Sequence, residues 1–253
     1  MFFVFPALAL LPNLIYLLSA VLPACFLLRY VYRHDTVEKE PLPLLLSLLG
    51  MGCLAALCSA VLESIAERML SILVYPAGPV YIILLAFLIV AVIEEGTKLF
   101  FLKLRSWRHR AFNYRFDGVV YAVFVSLGFA ALENIQYVVN YGLSVALPRA
   151  LLAVPGHAAF SVFMGVYYGR ARLLENLGDY GGSRRCLYKG YFFAVFLHGF
   201  YDACAMTGTA QSSAVFLLFV VLMFAAAFRT LKRESSADGP ITPYDGPSAP
   251  FGL

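Results

Sequence analysis

Charge is what this chain has least of. Only 13% of its 253 residues are Asp, Glu, Lys or Arg, against 61% hydrophobic, where a soluble domain carries about a quarter charged and about half apolar. No polar stretch is long enough to fold separately, so the apolar excess has one outlet, the lipid of a membrane. The same shortage excludes a nucleic-acid groove, because the basic residues sit in short loops and at the C-terminal end. Cysteine supplies no framework. Cys25, Cys53, Cys58, Cys186 and Cys204 are odd in number, form no CxxC pair and lie mostly in apolar runs, which reads as small buried hydrophobes and argues against disulfides or a thiolate zinc site. No Gly-x-Ser-x-Gly occurs, and Ser59, Ser126 and Ser161 have no base in local sequence, so a serine nucleophile is not supported. Neither an internal repeat nor a matched pair of broken helices points to a transporter. No Lys or Arg precedes Arg29, and the first apolar run is long enough to span; a membrane helix rather than a cleaved signal peptide is expected there.

What the chain does have is apolar runs of about 20 residues, the length that crosses a bilayer as a helix. They predict an all-α, polytopic membrane protein with about seven spans, near Phe5–Leu28, Leu42–Leu62, Val80–Leu102, Phe116–Val139, Arg149–Gly169, Tyr188–Met206 and Ser212–Leu231. Residues 1–233 form the transmembrane domain, and 234–253, rich in Pro, Gly and Ser, are expected to be a disordered cytoplasmic tail. Sixteen of the Lys and Arg residues fall in alternate loops and the tail, while only Arg68 and Arg149 fall on the other side. The positive-inside rule therefore predicts an outside N-terminus and a cytoplasmic C-terminus. Gly52, Ala56 and Ala60 recur every four residues in the second helix, a small-residue face suited to close helix packing.

Ionisable groups inside such helices are costly and usually functional. The third helix carries Glu94, Glu95 and Lys98, the fourth Glu133, the fifth His157, and the sixth His198 and Asp202. Lys98 stands at i+4 from Glu94 and i+3 from Glu95, so it can neutralise a carboxylate locally. His198 and Asp202, also i, i+4, share a helical face, either as two metal ligands or as a histidine with its orienting carboxylate. Pro155–Gly156 should disturb the fifth helix just before His157. Singly, each residue has a packing explanation: a hydrogen-bonded histidine, a structural ion pair, a solvated aspartate. Four carboxylates and two histidines on four helices read together as a site. A rise of 1.5 Å per residue puts His157, His198, Asp202 and Glu133 about 7–14 Å below the outer surface, with Glu94 and Glu95 near about 20 Å.

At these residues the sequence resembles the PrsW family of intramembrane proteases, within a wider group that includes the CAAX prenyl proteases and bacteriocin-processing enzymes. The matching pieces are EEGTK (Glu94–Lys98), ALEN with Glu133 and Asn134, PGHAAF with His157, and HGFYD with His198, Tyr201 and Asp202. DTVEKEPLP (Asp35–Pro43) resembles the acidic, proline-containing segment that follows the first helix in that family. Two departures stand out: Lys98 lies one position earlier than the arginine of the wider group's EExxxR, and Asp202 replaces its usual asparagine.

The resemblance implies hydrolysis of a single-pass membrane protein such as an anti-sigma factor, in the lipid of a bacterial plasma membrane and with no nucleic-acid partner. Glu95 or Glu94, with Lys98 beside them, would activate water. Zinc held by His157, His198 and Asp202, with Glu133 as fourth ligand or support, would acidify that water. Asn134 and Tyr201 are expected beside the site. A metal-free glutamate mechanism, with the histidines stabilising the oxyanion, uses the same residues. A proton-coupled transporter or a non-catalytic sensor remains as the alternative class; transport in proteoliposomes, or tolerance of losing Glu95, would mark these.

Overall fold

The computed structural model describes residues 4–76 and 78–241, with side chains from Leu14 onward. Seven long helices and no β-strand occur among the described residues: α1 Val4–His34, α2 Leu42–Leu73, α3 Pro79–Ser106, α4 Asp117–Tyr141, α5 Leu143–Asn176, α6 Tyr180–Thr207 and α7 Ala210–Ser236. Each runs past its apolar stretch, because polar residues at the ends continue the helix beyond the hydrocarbon. All but α6 are long and apolar enough to cross a membrane. α6 has 28 residues, about 42 Å of helix, but polar groups on its inner face, His198 and Asp202 among them, lower its hydropathy.

The helices end where local chemistry stops them. Pro41 stands at the N-cap of α2 and Asp179 caps α6 by accepting from Gly182 N–H at 2.7 Å. Gly208, in the left-handed region at φ +66°, closes α6, and a Thr209–Ser212 capping box opens α7. α4 and α5 are the most buried spans. α4 packs against α1, α2, α3 and α5, while α6 and α7 close over the far face of α5. The outward surfaces carry exposed Leu46, Leu57, Phe100, Leu104, Leu217 and Leu222, the apolar belt that lipid requires.

Close approach depends on glycine where two helices touch backbone to backbone. A Cβ on Gly52 would lie 2.0 Å from the Val125 carbonyl oxygen, and one on Gly128 would lie 2.3 Å from that of Leu49. The small-residue face of α2 is therefore a packing face at Gly52, while Ala56 and Ala60, further along, line a cavity. All five cysteines are free, and Cys25 and Cys58 face outward rather than being buried. The segment expected to be a tail from Glu234 has structure up to Ile241: α7 continues to Ser236, Arg115 N–H donates to the Gly239 carbonyl, and Ile241 is fully buried. Residues 242–253 of that tail lie outside the described residues.

Candidate active site

Two helices lose their regular winding one turn before the site. In α3 residues Leu85–Ala91 form a π-helical stretch ahead of Glu94 and Glu95. In α5 residues Arg149–Ala153 do the same, directly before Pro155. The proline accounts for the second: it has no N–H to give, so the preceding turn widens. Such insertions re-aim the side chains that follow and occur often at functional sites. The Tyr191 hydroxyl donates to the Val92 carbonyl at 3.0 Å, satisfying backbone at the end of the first stretch.

The re-aimed side chains converge. Lys98 Nζ donates to Glu94 Oε2 at 3.0 Å and Glu95 Oε1 at 2.9 Å, and stands 3.1 Å from His157 Nδ1. It also lies 4.0 Å from the centre of the Phe129 ring. An ammonium has only donors, so Nδ1 of His157 accepts and Nε2–H donates to Glu133 Oε2 at 2.9 Å. On the other wall, His198 Nδ1 meets Glu95 Oε1 at 2.9 Å, and its Nε2 lies 3.3 Å from Asp202 Oδ2. Phe160 stacks on the His198 ring at 4.8 Å. Glu94, Glu95, Lys98, His157 and His198 are all buried. Burying isolated charges costs several kcal/mol each, and only dense mutual pairing of this kind offsets it.

Sequence spacing anticipated the local pairs, Glu94 and Glu95 with Lys98 and His198 with Asp202, and the structure unites them with Glu133 and His157. The expected difference in depth vanishes. α5 begins at Leu143, six residues earlier than the sequence reading, which carries His157 deeper, and the π-helical stretch of α3 packs its residues into less axial length. Asn134, fully buried, donates to the Ala20 carbonyl at 2.8 Å and ties α4 to α1. Tyr201 lies on the cavity wall, its ring against Phe160 and Phe216.

Two cavity-lining residues escaped the sequence reading. Arg149, counted there as a loop charge, lies within α5, forms an ion pair with Glu133 Oε2 at 2.8 Å and donates from Nε to Asn134 Oδ1 at 2.8 Å. Glu63, one residue past the sequence-based end of the second span, lies on α2 and lines the same cavity. That cavity, about 230 Å³, is bounded also by Glu94, Glu133, Arg149, His157, His198 and Asp202. Glu94 borders it; Glu95, fully buried, does not.

For a metal ion the nearest donor set is Glu94, Glu95, His157 and His198, whose ligand atoms all lie within 4.8 Å of one another. Glu133 and Asp202 instead engage the imidazoles from the side, as supporting carboxylates do. The donor types suit a divalent ion, and the buried Glu95 Oε2 has no hydrogen-bond partner, which leaves one donor atom uncommitted. In the structure the Lys98 ammonium contacts three of these groups, Glu94, Glu95 and His157.

The family profile described as "PrsW family intramembrane metalloprotease" matches residues 40–228. A Protease PrsW of Geobacillus kaustophilus is 35% identical over 215 residues, covering 85% of this chain and 90% of the relative. The Protease PrsW of Halalkalibacterium halodurans is 31% identical over 88% of this chain and 98% of its own length, and that of Bacillus subtilis 30% over 87% and 95%. No solved structure matches. A profile covering most of the chain, relatives aligned over nearly their whole length, and one buried cluster built from the matched segments agree: the chain belongs to the PrsW family of intramembrane proteases.

Proposed function

We propose that this multi-pass protease cuts a single-pass membrane protein, of the anti-sigma factor kind, with Glu94 as the general base and zinc as its metal. The observation that carries the base assignment is exposure: of the paired glutamates, Glu94 alone borders the cavity that water and a peptide would enter. Its carboxylate takes a proton from water as the oxygen adds to the peptide carbonyl carbon, then delivers that proton to the leaving nitrogen as the C–N bond breaks. Lys98 holds both glutamates in place, and Glu133 holds the His157 ring. His157, His198 and Glu95 are the donors we assign to zinc, which supplies Lewis acidity toward water and carbonyl. This exchanges the carboxylate partners that the sequence favoured, Asp202 and Glu133, for one with an oxygen within 4.8 Å of a nitrogen on each imidazole. The cavity lies toward the ends of the helices that the loop charges place outside, so cleavage falls in the outer half of the membrane. Reporter fusions after Gly142 should read outside and after Gly182 inside; the opposite pattern overturns this orientation.

Metal analysis separates the mechanisms. Purified protein should carry about one zinc per chain. Glu94→Gln should retain it while losing cleavage, and the double substitution His157→Ala, His198→Ala should lose both. Full activity in a preparation without stoichiometric metal, or indifference to a membrane-permeant chelator, would replace this reading with the metal-free glutamate mechanism.

A further inference from the structure

Glu63 is a cavity carboxylate that neither enters the proposed reaction nor contacts an imidazole. Its depth follows from a neighbouring contact: Ser59 Oγ meets Thr97 Oγ1 at 2.7 Å across the α2–α3 interface. The two helices are antiparallel, so one turn forward along α2 and one turn back along α3 bring Glu63 level with Glu94. Below it on the same wall, Ala56, Ser59 and Ala60 present small side chains to the cavity, which leaves room for an extended backbone. Glu63 Oε1 is shielded from solvent and has no hydrogen-bond partner.

The charges around it are already committed. Lys98 serves Glu94 and Glu95, Arg149 serves Glu133 and Asn134, His157 faces Glu133, and His198 lies between Glu95 and Asp202. Among the described residues no Lys, Arg or His lies within ion-pair distance of Glu63, and it stands outside the group of four that could ligate a metal. Five carboxylates (Glu63, Glu94, Glu95, Glu133 and Asp202) thus share two permanent cations, Lys98 and Arg149. Of the five, Glu63 is the one with no cationic or imidazole partner among the described residues, so a cation brought in beside it would meet a carboxyl group not already engaged.

We infer that Glu63 is a specificity-determining residue: it receives the Lys or Arg side chain of a substrate residue close to the scissile bond. This rests on the proteolytic reading and on Glu94 marking the reacting carbonyl. Because an extended chain advances about 3.3–3.6 Å per residue and Glu63 is level with Glu94, the cation belongs within about three residues of the cut. The complementary charge would desolvate with its partner in place, the condition under which a buried carboxylate discriminates strongly.

The test uses the full-length protein in proteoliposomes and a single-pass substrate series. One Lys is moved through the three positions on each side of the cut, with Gln at the same positions as reference. Wild type should favour Lys over Gln at one of these positions by about tenfold or more in kcat/KM, the equivalent of about 1.4 kcal/mol. In Glu63→Gln that ratio should fall to within about twofold of unity, whereas Glu63→Asp should retain part of it. Ratios within one variant cancel differences in folding and yield. No Lys preference in wild type overturns the proposal without any variant being needed, as does an undiminished preference in Glu63→Gln. Loss of all cleavage in a folded Glu63→Gln assigns the residue to the chemistry instead and also overturns it. A wild type that cuts no member of the series removes the proteolytic reading itself, and a wild type that cuts them all equally removes only the role of Glu63.

Discussion

Two groups of buried carboxylates lie along α4, one around Glu133 and one around Asp117, sixteen residues or about 24 Å apart. In the first, carboxylates are answered by side chains: Lys98, Arg149 and two histidines. In the second they are answered by backbone and a phenol. Asp117 Oδ2 accepts from Asn113 N–H at 3.0 Å and Tyr114 N–H at 2.7 Å, and Asp238 Oδ1 from Phe116 N–H at 2.9 Å. Asp35 Oδ2 accepts from Glu40 N–H at 3.3 Å, and Glu40 takes the Tyr121 hydroxyl. Lys39, the nearby cation, is spent on the carbonyls of Tyr32 and Asp35. No ion pair involves these four carboxylates among the described residues. Carboxylates paired with movable, protonatable side chains can exchange protons and bind a substrate or metal. Carboxylates that tie down amides of two loops, with one contributed by the tail and one held by a phenol, act as a clamp, here joining the α1–α2 loop, the α3–α4 loop and the start of the tail.

That contrast is sharpest at Glu94. Glu94→Gln keeps the shape and the hydrogen bond to Lys98 but cannot accept a proton, so cleavage of a membrane-anchored substrate should fall by at least about 10²-fold, with thermal stability close to wild type. A folded Glu94→Gln enzyme with full activity would make the first cluster as structural as the second.

Arg149 should show a smaller effect. It touches neither water nor substrate carbonyl in the proposed chemistry; it holds Glu133, which holds His157. Arg149→Met is expected to lower kcat about 10-fold to 100-fold, the range for partners that orient a site ligand. Arg149→Lys, which keeps the charge but loses the Nε bond to Asn134, should recover part of that. Equal loss in both variants with unfolding would place Arg149 with the clamp.

The sequence made the local pairs and the gathering of four helices at one site legible, and missed which groups pair across helices and two of the residues that line the cavity. Glu94 with Lys98 and His198 with Asp202 follow from helical spacing, and the apolar runs carried the all-helical, multi-span architecture. Glu63 and Arg149 were missed because both sit where an apolar run meets its polar end, and a hydropathy boundary hides a residue that the helix then turns inward. The choice of carboxylate donors depends on which helix faces which. The π-helical stretches set that, and only Pro155 announced one of them. DTVEKEPLP was visible as a motif, but its partners Asp117, Tyr121 and Asp238 are some 80 to 200 residues away in the chain.

The smallest expected effect tests the clamp by pH. Burial raises Glu40 from its ordinary 4.5 to about 7, with Asp35 adding repulsion and the Tyr121 hydrogen bond opposing the rise. Burial likewise lifts Asp35 from 3.8 to about 6, against the pull of Lys39 and the Glu40 amide, with Asp238 and Glu38 repelling it. Between about pH 4.5 and 7 the folded chain therefore holds more protons at Glu40 than the unfolded chain does. Stability from this source is fully present below the unfolded value and is lost as pH rises through the folded one. Wild-type melting temperature in detergent should fall over that interval for this reason. Glu40→Gln resembles the protonated group, keeps an oxygen for the Tyr121 hydroxyl and cannot ionise. Its decline should be shallower, with the remainder owed to Asp35, and near pH 7.5 it should be at least as stable as wild type. Substrate cleavage near neutral pH should change little, since Glu40 is far from the cavity. Parallel stability curves for the two proteins would show that Glu40 is already ionised in the fold, and the clamp would then need a cation that the backbone account does not supply.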